Sequence, residues 1–220
     1  MRPLTDSCPK PLLEVHGKPL MQYHLEALGR EGFREVVVNT AWLGEQIEQR
    51  FGENAPGGVT VRYSHEGRDF GGALESAGGI LRALPLLDDV FWLVAGDVFM
   101  PDFRFTQQAM QRFVAGGKVA HLFLVPNPDH NPKGDFALGA DGLALNEVDQ
   151  RFTYSTTGIF RKALFDSLPA GNPEGLKVAL APLLRAAIER REISAELYAG
   201  AWTDVGTPQR LHGLNAAAAL

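Results

Sequence analysis

Phe91-Trp92-Leu93-Val94-Ala95 is an unbroken apolar run followed at once by Gly96 and Asp97. So short a run does not make a typical helix. It suits a strand buried on both faces, and so predicts a sheet covered on each side by other elements. In open α/β sheets, ligands collect beyond the carboxyl ends of the strands. The pattern therefore places Asp97 at the lip of a ligand crevice. A plainer role is also open to it, because Pro101 and Asp102 mark a turn just downstream that an aspartate can cap.

The sequence on either side alternates helix and strand. Pro19 opens a helix whose apolar face is Leu20, Met21, Leu25 and Leu28, and Gly32 stops it. Glu35 to Asn39 reads as a buried strand, Leu43, Ile47 and Phe51 as one face of a short helix, and Val59 to Tyr63 as an alternating strand. Ala120 to Val125 and Ile193 to Tyr198 read as further strands. Phe103 to Val114 and Leu176 to Ile188 read as amphipathic helices. Between Phe136 and Phe160 the turn at Asp141-Gly142 predicts short antiparallel strands. Thr207 and Pro208 then cap and open a last helix that runs to the C-terminus. This order predicts an α/β fold, a Rossmann-like, doubly wound, mainly parallel sheet flanked by helices, with a small antiparallel portion. No internal repeat or linker divides the 220 residues, which are expected to form a single domain, 1–220.

Composition excludes several classes. The net charge is −5 with no basic block, so nothing asks for a nucleic acid polymer as partner. No apolar run reaches membrane-spanning length and no secretory signal opens the chain, so no membrane partner is expected. The single cysteine, Cys8, allows no internal disulfide, which fits a cytoplasmic protein.

Five features carry chemistry. Met1 to Leu13 holds three prolines and reads as an extended loop in which Pro9 and Pro11 fix the direction of Lys10, suited to a phosphate. A solvated surface lysine would look the same. His65 to Gly79 holds five glycines and leads into a helix expected from Ile80, an arrangement that lets a ligand approach backbone at a helix N-terminus. Thr153 to Ile159 is rich in hydroxyls, fit for a polyol or for an ordinary Thr-rich strand. Lys177 falls in the first turn of the expected 176–188 helix, where the dipole disfavours a cation, a hint of ligand work. Asp204, just before the last helix, is a second carboxylate to set beside Asp97. Two carboxylates at a crevice mouth suit Mg²⁺, which keeps its other positions for water and phosphate.

Taken together, Arg2-Pro3-Leu4-Thr5, Pro9-Lys10-Pro11-Leu12, Leu74 to Gly79, Ala95-Gly96-Asp97, Thr157-Gly158 and Trp202 to Thr207 resemble the sugar-1-phosphate nucleotidyltransferases over essentially the whole chain. Asn39 to Leu43, and Lys177 ahead of Ala181-Pro182-Leu183-Leu184, are most similar to the N-acetylmuramate-1-phosphate uridylyltransferases. Mannose-1-phosphate guanylyltransferases share most of the motifs. The resemblance implies transfer of a nucleotidyl group from a nucleoside triphosphate, UTP on the first reading, to a sugar 1-phosphate, with Mg²⁺ as cofactor. It implies Lys10 on the nucleotide phosphates, Glu75 and Ser76 at the nucleobase, and Asp97 and Asp204 on the metal. Gly134, Asp135 and Gly158 would line the sugar pocket, and Lys177 would approach the sugar phosphate. Lys177 or Arg185, on the same expected helix, would meet the lactyl carboxylate of an N-acetylmuramic sugar. A homo-oligomer is left open, as is a non-catalytic member that binds a sugar phosphate.

One departure stands out. Family members begin with a strand and a loop of the form Leu-Ala-Ala-Gly-x-Gly-x-Arg around the triphosphate, and this sequence starts immediately after the place of that arginine. The expectation is a sheet lacking its first strand, with open edges on the two strands that would flank it.

Overall fold

Glu35–Thr40 and Val59–His65 pair in parallel in the computed structural model, which describes residues 1–216. The chain sorts into two compact units. One is Met1–Ala73, Ala95–Phe105 and the chain from Gly200 onward; the other is Leu74–Val94 and Thr106–Ala199. No helix among the described residues is long and apolar enough to cross a membrane.

In the first unit, Asn54–Ala55 adds an antiparallel edge to Val59–His65. Helix Leu20–Arg30 supplies Met21 and Leu25, and helix Gly44–Phe51 supplies Ile47 and Phe51. Both pack on Val38, Val59 and Val61. Side chains buried this fully each contribute roughly 1.5–3 kcal/mol. A close backbone approach seats the first helix, for a Cβ on Gly29 would lie 2.0 Å from the carbonyl oxygen of Gly57. A second cluster joins Leu13, Val15, Leu20, Phe99 and Val205. It is built around the short antiparallel pair Val98–Phe99 with Thr203–Asp204. Helix Pro208–Ala216 closes this unit, with Thr207 Oγ1 accepting from the Arg210 N–H at 3.2 Å as the expected cap. The expectation that this helix runs to the C-terminus concerns, beyond Ala216, residues outside those described.

The second unit holds a sheet in the order Ile193–Leu197, Ala120–Val125, Thr153–Arg161, Val90–Val94. The first two strands are parallel, and Thr153–Arg161 runs antiparallel to both its neighbours. The pairing is thus mixed, and helices flank it. Helices Glu75–Ala83 and Leu180–Glu189 bury Ala77, Ile80, Leu81, Leu184, Ala187 and Ile188 in a core shared with Leu122, Leu124 and Phe160.

Several local expectations are corrected. The opening thirteen residues are not extended throughout: Leu4–Ser7 makes one helical turn and Lys10–Leu12 a 3-10 turn. The Gly-rich stretch is mostly helical, as Glu66–Phe70 and the start of Glu75–Ala83. Its Gly78 and Gly79 are buried helix residues, and a Cβ at 78 would lie 2.5 Å from the Leu176 carbonyl oxygen. The run Val90–Val94 is a strand, but only Phe91 is fully buried. The reason is its place in the sheet, where it pairs with Thr153–Arg161 on one side only among the described residues. Glu35–Thr40 likewise pairs on one side only, with Val59–His65. Among the described residues both are therefore edge strands, each at one end of its sheet.

Candidate functional site

Lys10 meets Asp97 in the first unit: Nζ stands 3.3 Å from Oδ2, with both side chains about half-exposed. The contact spans 87 residues and has a local cause. Lys10 begins the 3-10 turn at Pro11, and a Cβ on Gly96 would come within 3.1 Å of the Pro11 ring. A glycine before the aspartate thus lets the proline-framed lysine close on it. Asp97 lies in the turn between Val90–Val94 and Val98–Phe99, and its carbonyl accepts from the Val205 N–H at 2.8 Å.

That same ladder carries Asp204, opposite Val98 and so one residue out of register with Asp97. Arg210 forms an ion pair with the Asp204 carboxylate and donates to the Asp204 carbonyl at 2.9 Å, its guanidinium lying over Gly206. Each aspartate thus faces a cation of its own. Both are partly exposed carboxylates on hydrogen-bonded segments, and carboxylate oxygens are donors of the kind Mg²⁺ accepts with few protein ligands. Among the described residues no group of three or more potential ligands stands beside them.

Behind this ladder sits His24, buried on helix Leu20–Arg30 with Nε2 3.0 Å from the Val98 carbonyl oxygen. Burial pulls its pKa down to about 4, so the ring is neutral. A carbonyl only accepts, so Nε2 carries the proton and donates. Nδ1 is then a buried acceptor without a hydrogen-bond partner. The histidine ties the helix to the strand that follows Asp97.

In the second unit, Glu75 and Ser76 are exposed at the start of helix Glu75–Ala83, Glu75 with φ +61°. The next N–H groups, of Ala77 and Gly78, donate to the Val178 carbonyl at 2.9 and 3.0 Å, and the Val178 N–H donates to Leu74 O at 3.1 Å. Lys177 therefore stands beside Glu75 and Ser76, held there by backbone bonds. It does not lie in a first helical turn, because helix Leu180–Glu189 begins three residues later, so the dipole argument does not apply. The segment is pinned by Asn172, which is fully buried. Its amide donates to Gly78 O at 3.0 Å and Leu176 O at 2.9 Å, and its Oδ1 accepts from the Leu176 N–H at 2.8 Å.

Gly134 and Asp135 end the polar loop after Ala120–Val125. Gly134 has φ +63°, and a Cβ there would lie 2.8 Å from the Phe152 nitrogen. Asp135 Oδ2 accepts from the Tyr154 N–H at 2.9 Å and from Asn131 Nδ2 at 3.2 Å. Thr153 Oγ1 links Asn131 to Asn127, so three polar side chains hold this loop. Gly158 is buried mid-strand, where a Cβ would lie 2.6 Å from the His121 carbonyl oxygen. Sheet packing alone requires a glycine there.

Residues 1–219 match the model of the nucleotidyl transferase family. The chain belongs to that family. It is 45% identical to the N-acetylmuramate alpha-1-phosphate uridylyltransferase of Neisseria meningitidis serogroup B, over 96% of this chain and 90% of that protein. It is 30% identical to a mannose-1-phosphate guanylyltransferase catalytic subunit beta of Drosophila pseudoobscura, over 95% of this chain but 56% of that protein. The chain thus spans little more than half the length of the fly relative. Among solved structures, a Bacillus anthracis protein described as a glucose-1-phosphate thymidylyltransferase superposes with a TM-score of 0.79 over 99% of this chain and 89% of that one. At 16% identity that likeness shows the fold.

The chain is therefore a sugar-phosphate nucleotidyltransferase with an α/β fold of mixed sheets and flanking helices. Sequence reasoning missed three residues of this nucleotidyltransferase: His24, Asn172 and Arg210. Arg210 had a signal, three residues after a capping threonine in a helix that follows Asp204. Asn172 had only its place before Pro173 in a loop, and His24 none.

Proposed function

We propose that this nucleotidyltransferase joins UTP to N-acetylmuramic acid 1-phosphate, giving UDP-N-acetylmuramic acid and pyrophosphate. The supporting observation is the 45% identity, over nearly the full length of both chains, to a protein of that name. A phosphate oxygen of the sugar 1-phosphate attacks the α-phosphorus of UTP. The bond from that phosphorus to the bridging oxygen breaks, and the electron pair leaves with pyrophosphate.

Little covalent work falls to the protein in such a transfer, so its residues act by position and charge. Lys10 meets the phosphate charge that grows as pyrophosphate departs. Asp97 and Asp204 would hold Mg²⁺, which neutralises phosphate charge when bound. Arg210 orients the Asp204 carboxylate through their ion pair. In the second unit Glu75 and Ser76 receive the nucleobase, Lys177 the sugar phosphate, and Gly134, Asp135 and Gly158 the sugar. On this reading the reaction belongs to the cytoplasmic recycling of peptidoglycan sugars.

The competing pair is GTP with mannose 1-phosphate, supported by relatives at lower identity. Mass analysis of the nucleotide sugar formed from UTP, N-acetylmuramic acid 1-phosphate and MgCl₂ tests the proposal. UDP-N-acetylmuramic acid with stoichiometric pyrophosphate is expected. No product here, with GDP-mannose formed from the competing pair, would overturn it.

A further inference from the structure

Arg185 lies on helix Leu180–Glu189 with its guanidinium carbon 5.1 Å from the centroid of the Phe136 ring. Stacking on an aromatic face orients the planar group and leaves its edges for hydrogen bonds. Its Nη2 reaches the Asp135 carbonyl only at 3.5 Å, a contact too long to occupy the fork strongly. No acidic side chain pairs with it among the described residues, whereas Arg161, Arg190 and Arg191 in the same unit each hold a carboxylate. The cation is half-buried and already oriented. Beside its backbone, Asn146 donates Nδ2 to the Arg185 carbonyl at 3.0 Å, and Asn146 Oδ1 is buried without a hydrogen-bond partner.

We infer that Arg185 is the specificity-determining residue that reads a carboxylate on the sugar. This rests on the function proposed above, in which Asp135 lines the sugar site. Asp135 itself would repel an acidic sugar, and its carboxylate is committed to Tyr154 and Asn131. A sugar that carries a carboxylate therefore needs a cation beside Asp135. Lys133 is exposed two residues away in the loop, whereas the Arg185 guanidinium is held at the Asp135 carbonyl by its stacking on Phe136. A bidentate guanidinium–carboxylate pair is directional, so it selects a carboxylate over a hydroxyl at the same position. Lys177, exposed on its backbone-pinned segment, is left for the phosphate.

N-acetylmuramic acid 1-phosphate and N-acetylglucosamine 1-phosphate differ only in the lactyl ether that carries this carboxylate. The test is the ratio of their kcat/KM values with UTP, measured for the unaltered chain, Arg185→Gln and Arg185→Lys. The ratio is expected to fall about tenfold or more in Arg185→Gln, mostly through KM for the muramic sugar. Arg185→Lys, which keeps the charge but not the fork, is expected to fall between. Equal losses on both sugars, with the ratio unchanged, would make Arg185 a tether for the Asp135 loop and overturn the inference while the proposed reaction stands. An unaltered chain that shows no preference for the muramic sugar would overturn the proposed reaction, and this inference with it, before any variant is made.

Discussion

Asn172 donates its side-chain amide to the carbonyl of Gly78, 94 residues earlier in the chain, at 3.0 Å. Through that bond and two more to Leu176, one buried asparagine fixes where Lys177 stands beside Glu75 and Ser76. Asn172 also adopts φ +44°, which asparagine tolerates better than most residues. Asn172→Ala loses the bonds and strains the backbone, while Asn172→Gly loses the bonds alone. Buried groups left without partners cost about 1–3 kcal/mol each. Urea unfolding is expected to show Asn172→Gly less stable than the parent and Asn172→Ala less stable again. A parent-like midpoint for Asn172→Gly would mean that the clamp holds nothing.

Lys10→Ala is expected to lower turnover roughly 10²–10³-fold, by analogy with removal of one donor that meets charge in the transition state. Steady-state kinetics separate this from a binding role. Unchanged kcat with a raised KM for the nucleotide would show that Lys10 holds only the ground state.

Asp97 and Asp204 are expected to act as a unit. Asp97→Ala and Asp204→Ala should each abolish turnover with the fold intact by circular dichroism, and the double variant should be little worse than either. Pyrophosphate release titrated with MgCl₂ reads this out. Independent, multiplicative losses would count against one shared ion.

His24 sets a pH dependence of stability. Its pKa is about 4 in the folded chain, below the ordinary 6.5, so the unfolded chain binds the extra proton between those values. The stability tied to neutral His24 is complete above pH 6.5 and is lost as pH falls toward 4. Over that window the loss is on the order of 3 kcal/mol. In His24→Gln, whose amide can still donate to the Val98 carbonyl, the slope of unfolding free energy against pH should be shallower. An identical slope in parent and variant would contradict the buried neutral histidine.

What the sequence made legible was whatever depends on short-range periodicity. Ala120–Val125 emerges residue for residue from its apolar run, and Gly44–Phe51 from Leu43, Ile47 and Phe51. The readings that failed turned on long-range partners. The glycine at 78 looks like part of a mobile loop until the 176–178 segment is seen against the helix, for only then does close packing explain it. Lys177 looks helical because Leu176, Leu180, Leu184 and Ile188 keep the spacing of one stripe. The Asn172 clamp and the bonds to Val178 instead hold the segment before Leu180 out of the helix. The carboxylates and the lysine were visible as residue types with strand-end or proline-framed positions. Arg185 was legible only as a cation sharing the expected 176–188 helix with Lys177, either of them a candidate for a sugar carboxylate. The partner of Arg210 was not legible at all, because a guanidinium declares its partner only in three dimensions.

Substrate identity is the centre of this account, and one competition assay tests it most directly. All four nucleoside triphosphates and the 1-phosphates of N-acetylmuramic acid, N-acetylglucosamine and mannose are mixed at equal concentrations with MgCl₂ and the full chain. The nucleotide sugars formed at low conversion then rank the pairs by kcat/KM. UDP-N-acetylmuramic acid is expected to dominate the products. GDP-mannose as the major product would contradict the assignment.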